Sequence, residues 1–250
     1  MADKTEAHYE SLIDQIRRDA AVFADETSWW VGGPGWWLWT FTTPQTTVYR
    51  VDKSRGSQVV HEMLGEQFEG MLVSDCLSSY DPPQYRKHKC IAHHLRAIAR
   101  ARDRPDTKST RYLNQWKLFF TAVQVLARCR NDIPAAEFAG RREHLEGWRD
   151  RLLAEPLNQS GDAAVRNRLA KQRDHLVGCL YEPAAEPTNN RAERALRPAV
   201  IARKMSCGNK TQRGKHTWEI LASLAATCDQ RAQDFLDYLA QHLPLAAQSG

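Results

Sequence analysis

Nearly everything in this 250-residue chain that reads as β-strand lies in its first third, and the rest reads as helix. Val22–Trp30, Trp36–Thr42 and Thr46–Val51 are rich in β-branched and aromatic residues, with turns at Gly32-Gly33-Pro34-Gly35 and Pro44-Gln45 between them. That pattern predicts an antiparallel three-stranded meander. A helix follows over Arg55–Leu64, with Val59, Val60, Met63 and Leu64 facing inward, and then a short apolar strand, Met71–Ser74. A strand reached through a helix suits parallel packing beside the first strand. Ahead of the meander, Tyr9, Leu12, Ile13 and Ile16 give residues 6–19 the spacing of an amphipathic helix.

From Gln84 onward no convincing strand is expected. Helical spacing recurs over His88–Arg102, Tyr112–Arg128, Ala136–Leu153, Ala163–Leu180, Arg191–Arg203, His216–Cys228 and Ala232–Leu243, with Pro134, Pro156 and Gly161 as punctuation. Strands followed by helices make an α+β chain. The pattern fits a ribonuclease H-like core, a mixed sheet with flanking helices. Residues 1–105 would form its first part, 106–182 a long all-helical insertion, and 183–250 a C-terminal helical part of the core. In such a core Asp25 and Asp75 would emerge side by side from neighbouring strands.

Charge is distributed unevenly along this sequence. Residues 1–85 carry 6 Lys/Arg against 13 Asp/Glu, whereas residues 86–215 carry 28 against 13. The plain alternative is that these basic residues merely solvate helix faces. The concentration of the excess in one half points to a phosphate backbone as partner. No apolar run is long enough to cross a membrane. The start of the chain, with Asp3, Glu6, Glu10 and Asp14, lacks the basic and apolar regions of a signal peptide. A cytoplasmic location without membrane attachment is expected, and the six scattered cysteines suit reduced thiols.

Three acids stand out. Asp25 ends the apolar run Ala20–Ala24, Asp75 follows Met71–Ser74, and Glu193 lies in Asn189-Asn190-Arg191-Ala192-Glu193-Arg194. Burial penalises a carboxylate, and a divalent cation relieves that penalty because its hard charge suits oxygen ligands. Two Mg²⁺ ions about 3.5–4 Å apart clamp the attacking and leaving oxygens of an in-line phosphoryl displacement. Two strand aspartates and one longer glutamate meet the needs of such a clamp. Each acid also has a plain structural reading: aspartates after strands form turns, and Glu193 falls at N3 of a capping box begun by Asn190. Glu26, next to Asp25, should point to the opposite face.

Arg191, Arg194 and Arg197 share a broad helix face near Glu193, and Arg203 and Lys204 extend the basic run, which suits DNA phosphate contacts. Pro198 should kink or restart that helix. Cys90 and His93 form a C-x-x-H that cannot complete a four-ligand zinc site, so a packing or hydrogen-bonding role fits better. Trp29, Trp30, Trp36, Trp37 and Trp39 crowd the first hairpin, where alternation sends some to the core and others outward. Exposed ones suit stacking on unpaired bases, while core packing is the commoner fate of tryptophan.

Several blocks together resemble the insertion-sequence-66 family of bacterial transposases. They are Ala24-Asp25-Glu26-Thr27, Trp37-Leu38-Trp39, Ser54-Arg55-Gly56, Val73-Ser74-Asp75, Cys90-Ile91-Ala92-His93-His94-Leu95-Arg96, Thr188–Pro198 and Arg203-Lys204, in order from about residue 20 to residue 240. The resemblance implies a DDE transposase catalytic domain that cleaves DNA and transfers strands. Asp25, Asp75 and Glu193 would be the metal-binding catalytic acids, with two Mg²⁺ ions or Mn²⁺ in their place. The 118 residues from Asp75 to Glu193 fit that family's helical insertion. It further implies transposon ends and target DNA as partners, a homo-oligomer on paired ends, accessory transposition proteins, and a nucleoid-associated protein. Family members usually carry an amino-terminal region with a coiled coil, a zinc motif and a helix-turn-helix. Met1 lies 24 positions before Asp25, so a truncated chain without that region is expected. A catalytically silent DNA-binding remnant and a ribonuclease H-like nuclease that only hydrolyses remain the alternatives.

Overall fold

The computed structural model describes residues 2–82, 84–103, 110–157 and 160–242. Among them, strands β1 (Ala21–Trp29), β2 (Trp36–Thr42), β3 (Thr47–Asp52), β4 (Met71–Ser74) and β5 (Arg86–Lys89) form one mixed sheet ordered β3-β2-β1-β4-β5. Helices α1 (Ala2–Arg17), α2 (Ser57–Leu64), α3 (Ile91–Arg102), α4 (Thr110–Arg128), α5 (Ala135–Ala154), α6 (Ser160–Lys171), α7 (Asn190–Ser206), α8 (Gln212–Gln230) and α9 (Phe235–His242) make up the rest of an α+β chain. The chain divides into two compact units. The first contains residues 1–72, 77–85 and 190–250, and the second residues 73–76 and 86–189.

In the first unit the three-stranded meander forms as expected. Asp25 lies opposite Thr40 and Thr40 opposite Tyr49, in antiparallel register. One face of the sheet buries Val22, Ala24, Trp39, Phe41 and Val48 against Tyr9, Leu12, Ile13 and Ile16 of α1 and the apolar side of α2. The other face buries Trp29, Leu38, Tyr49 and Val51 beneath Leu196 and Ala199 of α7. The odd-numbered residues of β1, Asp25 among them, therefore look towards α7.

β3 is the outer strand, and an open strand edge invites unwanted pairing. α8 covers it with a polar stripe. Glu219, Ser223 and Thr227 accept hydrogen bonds from the backbone N–H groups of Val51, Tyr49 and Thr47. Four residues of helix and two of strand both advance by roughly 6–7 Å, so the two repeats keep step. Lys215, one turn earlier, donates to the Val51 carbonyl at 3.0 Å.

The second unit is mostly helical. Buried Tyr112, Trp116, Phe119 and Phe120 give α4 an aromatic side. Phe119 meets Trp148 of α5 edge-on at 5.8 Å, and Phe120 stacks on His94 of α3 at 5.2 Å. Two departures from the sequence reading occur here. Arg86–Lys89 is a strand, because Lys87, His88 and Lys89 are all buried although their composition reads as surface. The helix expected over Ala163–Leu180 stops at Lys171 and gives way to single 3₁₀ turns at Arg173–His175 and Gly178–Leu180. Gly178 lies against the β5 backbone, where a methyl group would strike the Lys87 carbonyl. The end of the last expected helix, Leu243, lies outside the described residues. Among the described residues no helix is long and apolar enough to cross a membrane.

Candidate active site

Asp25 stands in the middle of β1, where the fully buried stretch Ala21–Ala24 gives way to half-buried positions. Its Oδ1 accepts the backbone N–H of Glu26 at 2.9 Å, which limits how the carboxylate can turn. Glu26 itself points to the other face, as alternation predicts. There it accepts from Arg55 at 2.8 Å and from the Tyr80 hydroxyl at 2.6 Å. The Arg55 guanidinium also lies over the Trp37 ring, 4.1 Å from its centroid. Glu26 is thus a structural acid.

Glu193 lies in the first turn of α7, on a half-buried position. This helix runs along the Asp25 face of β1 and is fastened at both ends. At its start the Arg191 guanidinium sits 5.3 Å from the centroid of the Phe23 ring. Towards its end Arg203 donates to Thr27 Oγ1 at 3.1 Å and to Ser28 Oγ at 2.8 Å. Beyond it, Asn209 exchanges backbone bonds with Trp30 and Gly32, and its Oδ1 accepts the Trp29 indole N–H at 2.8 Å. Gly208, at φ 109°, permits this close approach, since a side chain there would collide with the Trp30 backbone. Phe23, Asp25 and Thr27 alternate along the same face, so Asp25 lies between the two fastenings and Glu193 lies on the helix that spans them. Pro198 sits inside α7 without ending it, on the exposed side where water can serve the carbonyl left unbonded.

Asp75 belongs to the second unit and directly follows β4, half-buried. The preceding Ser74 accepts the Cys90 backbone N–H on its carbonyl at 2.8 Å, and its Oγ accepts from Lys89 Nζ at 3.3 Å. Lys89 is fully buried, an uncommon state for an ammonium group. The nearby Cys76 thiol is pushed up by burial, opposed by a hydrogen bond from Arg168 and by the charges of Arg168 and Lys89. Cys90 is buried, and its sulfur accepts the Asn189 N–H at 3.1 Å, so the C-x-x-H serves a backbone contact. His93 is bonded instead to Arg96, at 2.7 Å.

Asp25 and Glu193 therefore share the first unit, and Asp75 lies in the second. Among the described residues, no three or more His, Cys, Asp or Glu side chains are grouped to hold a metal ion. Of the five basic residues expected to meet DNA, Arg194, Arg197 and Lys204 are exposed, whereas Arg191 and Arg203 are engaged with β1. Sequence reasoning missed the roles of Arg203 and Asn209. It also missed the α8 stripe, although three polar residues at four-residue spacing in an alanine- and leucine-rich helix are a visible signal.

A protein from Sinorhizobium fredii (strain NBRC 101917 / NGR234), described as "Uncharacterized protein y4qI", is 26% identical over 283 aligned positions. The alignment covers 95% of this chain and 50% of that relative, so the chain spans about half the relative's length. No solved structure matches significantly. The model of the Transposase IS66 family matches residues 1–217. A match over that much of the sequence makes this chain a member of the IS66 family of transposases.

Proposed function

We infer that the chain is a DDE-type catalytic domain with a ribonuclease H-like core, which cleaves DNA at transposon ends and joins the 3′ end to a target. Family membership supports transposition, and one observation carries the catalytic assignment. The helix bearing Glu193 is laid along the Asp25 face of β1 and fastened there at Phe23 and at Thr27–Ser28. That lays the helix carrying Glu193 over the strand carrying Asp25, which supports this reading. Asp75, at the end of β4, is the third acid of this reading.

The donor set fits Mg²⁺ or Mn²⁺, since all three groups are half-buried carboxylates. Mg²⁺ usually takes only one or two carboxylates and completes its shell with water and substrate phosphates, so a ready protein cage is not required. When bound, the ions would activate the attacking oxygen and stabilise the leaving one. Asp25, Asp75 and Glu193 would hold them, while exposed Arg194, Arg197 and Lys204 would hold the DNA backbone. Transposon-end recognition, a homo-oligomer on paired ends and accessory transposition proteins are further parts of this proposal.

The test incubates the full chain with pre-cleaved transposon ends, a target plasmid and Mg²⁺. Joined product that disappears with EDTA and in Asp75→Asn is expected. Cleavage without joining would identify a nuclease that only hydrolyses, and neither product would identify a silent DNA-binding remnant.

A further inference from the structure

A cavity of about 620 Å³ opens between α7 and α8, on the same sheet face as Asp25. Its walls are alanines of both helices, including Ala195, Ala199, Ala222 and Ala226, over a floor of Thr42, Thr47 and Tyr49. Two aromatic rings belong to it. Half-buried Trp218 packs near Trp29 at 4.6 Å and Tyr49 at 5.5 Å, and these neighbouring rings fix its orientation. The opposite end is charged: Arg191 and Arg194 stand there, with Asp229 opposite, an excess of one positive charge. Arg191 and Arg194 flank Glu193 in sequence, so this end lies next to the proposed catalytic helix turn.

The polar floor is closed upon itself. Thr42 and Thr47 share a hydrogen bond at 2.7 Å, and Gln230 accepts from Thr47 and donates to Thr42 and the Thr43 carbonyl. What the cleft offers is therefore an apolar slot with the Trp218 ring at one end and the Arg194 guanidinium at the other. From Trp218 to Asp229, α8 advances about 16 Å, room for a base and its flanking phosphate.

We propose that this cleft seats an unpaired nucleotide of the DNA substrate, its base against half-buried Trp218 and its phosphate at exposed Arg194. The identity of the occupant rests on the transposase reading. Stacking on aromatic faces serves every base, and the closed floor leaves few groups to read base edges, so binding should tolerate any sequence.

The experiment measures binding of short oligothymidylate and oligoadenylate to the full chain by tryptophan fluorescence, with photocrosslinking from a bromouracil base. Similar affinity for both strands and crosslinks within residues 212–230 are expected. Ala226→Phe fills the slot without removing a core contact and should weaken single-strand binding about tenfold or more, leaving duplex binding unchanged. Ala225→Leu, on the same wall, serves if Ala226→Phe does not fold. Unchanged single-strand affinity in the filled variant, crosslinks confined to other segments, or a filled variant altered only in oligomeric state would overturn the proposal. Single-strand binding in the cleft by a chain that gives no Mg²⁺-dependent cleavage would leave the cleft standing and remove the transposase reading.

Discussion

The two units differ in which polar groups they bury and in what those groups do. In the first, polar side chains tie together backbone segments far apart in sequence: Glu219, Ser223 and Thr227 reach strand residues 168 to 180 positions away. Arg203 and Asn209 do the same for β1. In the second unit, the polar groups that stand out are two fully buried histidines, His88 on β5 and His94 on α3. His88 donates to the Pro187 carbonyl at 3.1 Å, and His94 lies flat against Phe120. The first unit is a scaffold of cross-links that fixes a helix over an acid. The second is a packed body whose buried histidines must stay neutral, so one should fail when a bond is cut and the other when protons are added.

The largest difference should come from Glu219→Ala. It leaves the Val51 N–H unbonded in a buried site and removes the carboxylate 3.4 Å from Lys215. A loss of about 2–4 kcal/mol is expected, read by urea denaturation. Glu219→Gln keeps an acceptor and should lose about 1 kcal/mol. Equal losses would mean that the charge, and not the strand contact, is what matters.

Acid should separate the units next. Burial pushes His88 down to about 4 and His94 down to about 3. Folded-state values below the ordinary one mean that this stabilisation is complete above about pH 6.5 and is lost as pH falls towards 4 and then 3. Amide exchange at pH 5 against pH 7 should show residues 86–102 and 112–128 losing protection while β1–β3 keep theirs. Uniform loss across both units would contradict the contrast.

Arg203→Ala should cost about 1–2 kcal/mol of stability, since it removes charge-assisted bonds to Thr27 and Ser28, and should lower DNA cleavage by loosening α7. Arg194→Ala and Lys204→Ala should change stability by less than about 0.5 kcal/mol. Each should instead weaken duplex binding and reduce the slope of log affinity against log salt by about 1. Titration of labelled duplex over a salt series checks this, and a slope unchanged in both variants would remove them from the DNA contact.

Much of the first unit was legible because its signals are local. Runs of β-branched and aromatic residues between turn signals located β1, β2 and β3, and alternation along a strand separated Asp25 from Glu26. The unread parts depend on partners distant in the chain. Lys87, His88 and Lys89 look like solvent-facing charge until β4 and the turn at Gly178 bury them. Glu219 looks like one more surface acid on a helix until β3 presents its edge. Arg203 matched the pattern of a phosphate ligand by charge, yet Thr27 and Ser28 claim it. Charge and periodicity locate elements; they do not say which polar group will find its partner 170 residues away.

Asp25, Asp75 and Glu193 are proposed to act together on DNA. The direct measurement is cleavage of a transposon-end duplex by the full chain with Mg²⁺, alongside Asp25→Asn, Asp75→Asn and Glu193→Gln. Each substitution should lower the rate by at least about a hundredfold while leaving folding and duplex binding intact. A variant that cleaves as fast as the unaltered chain would contradict the shared site.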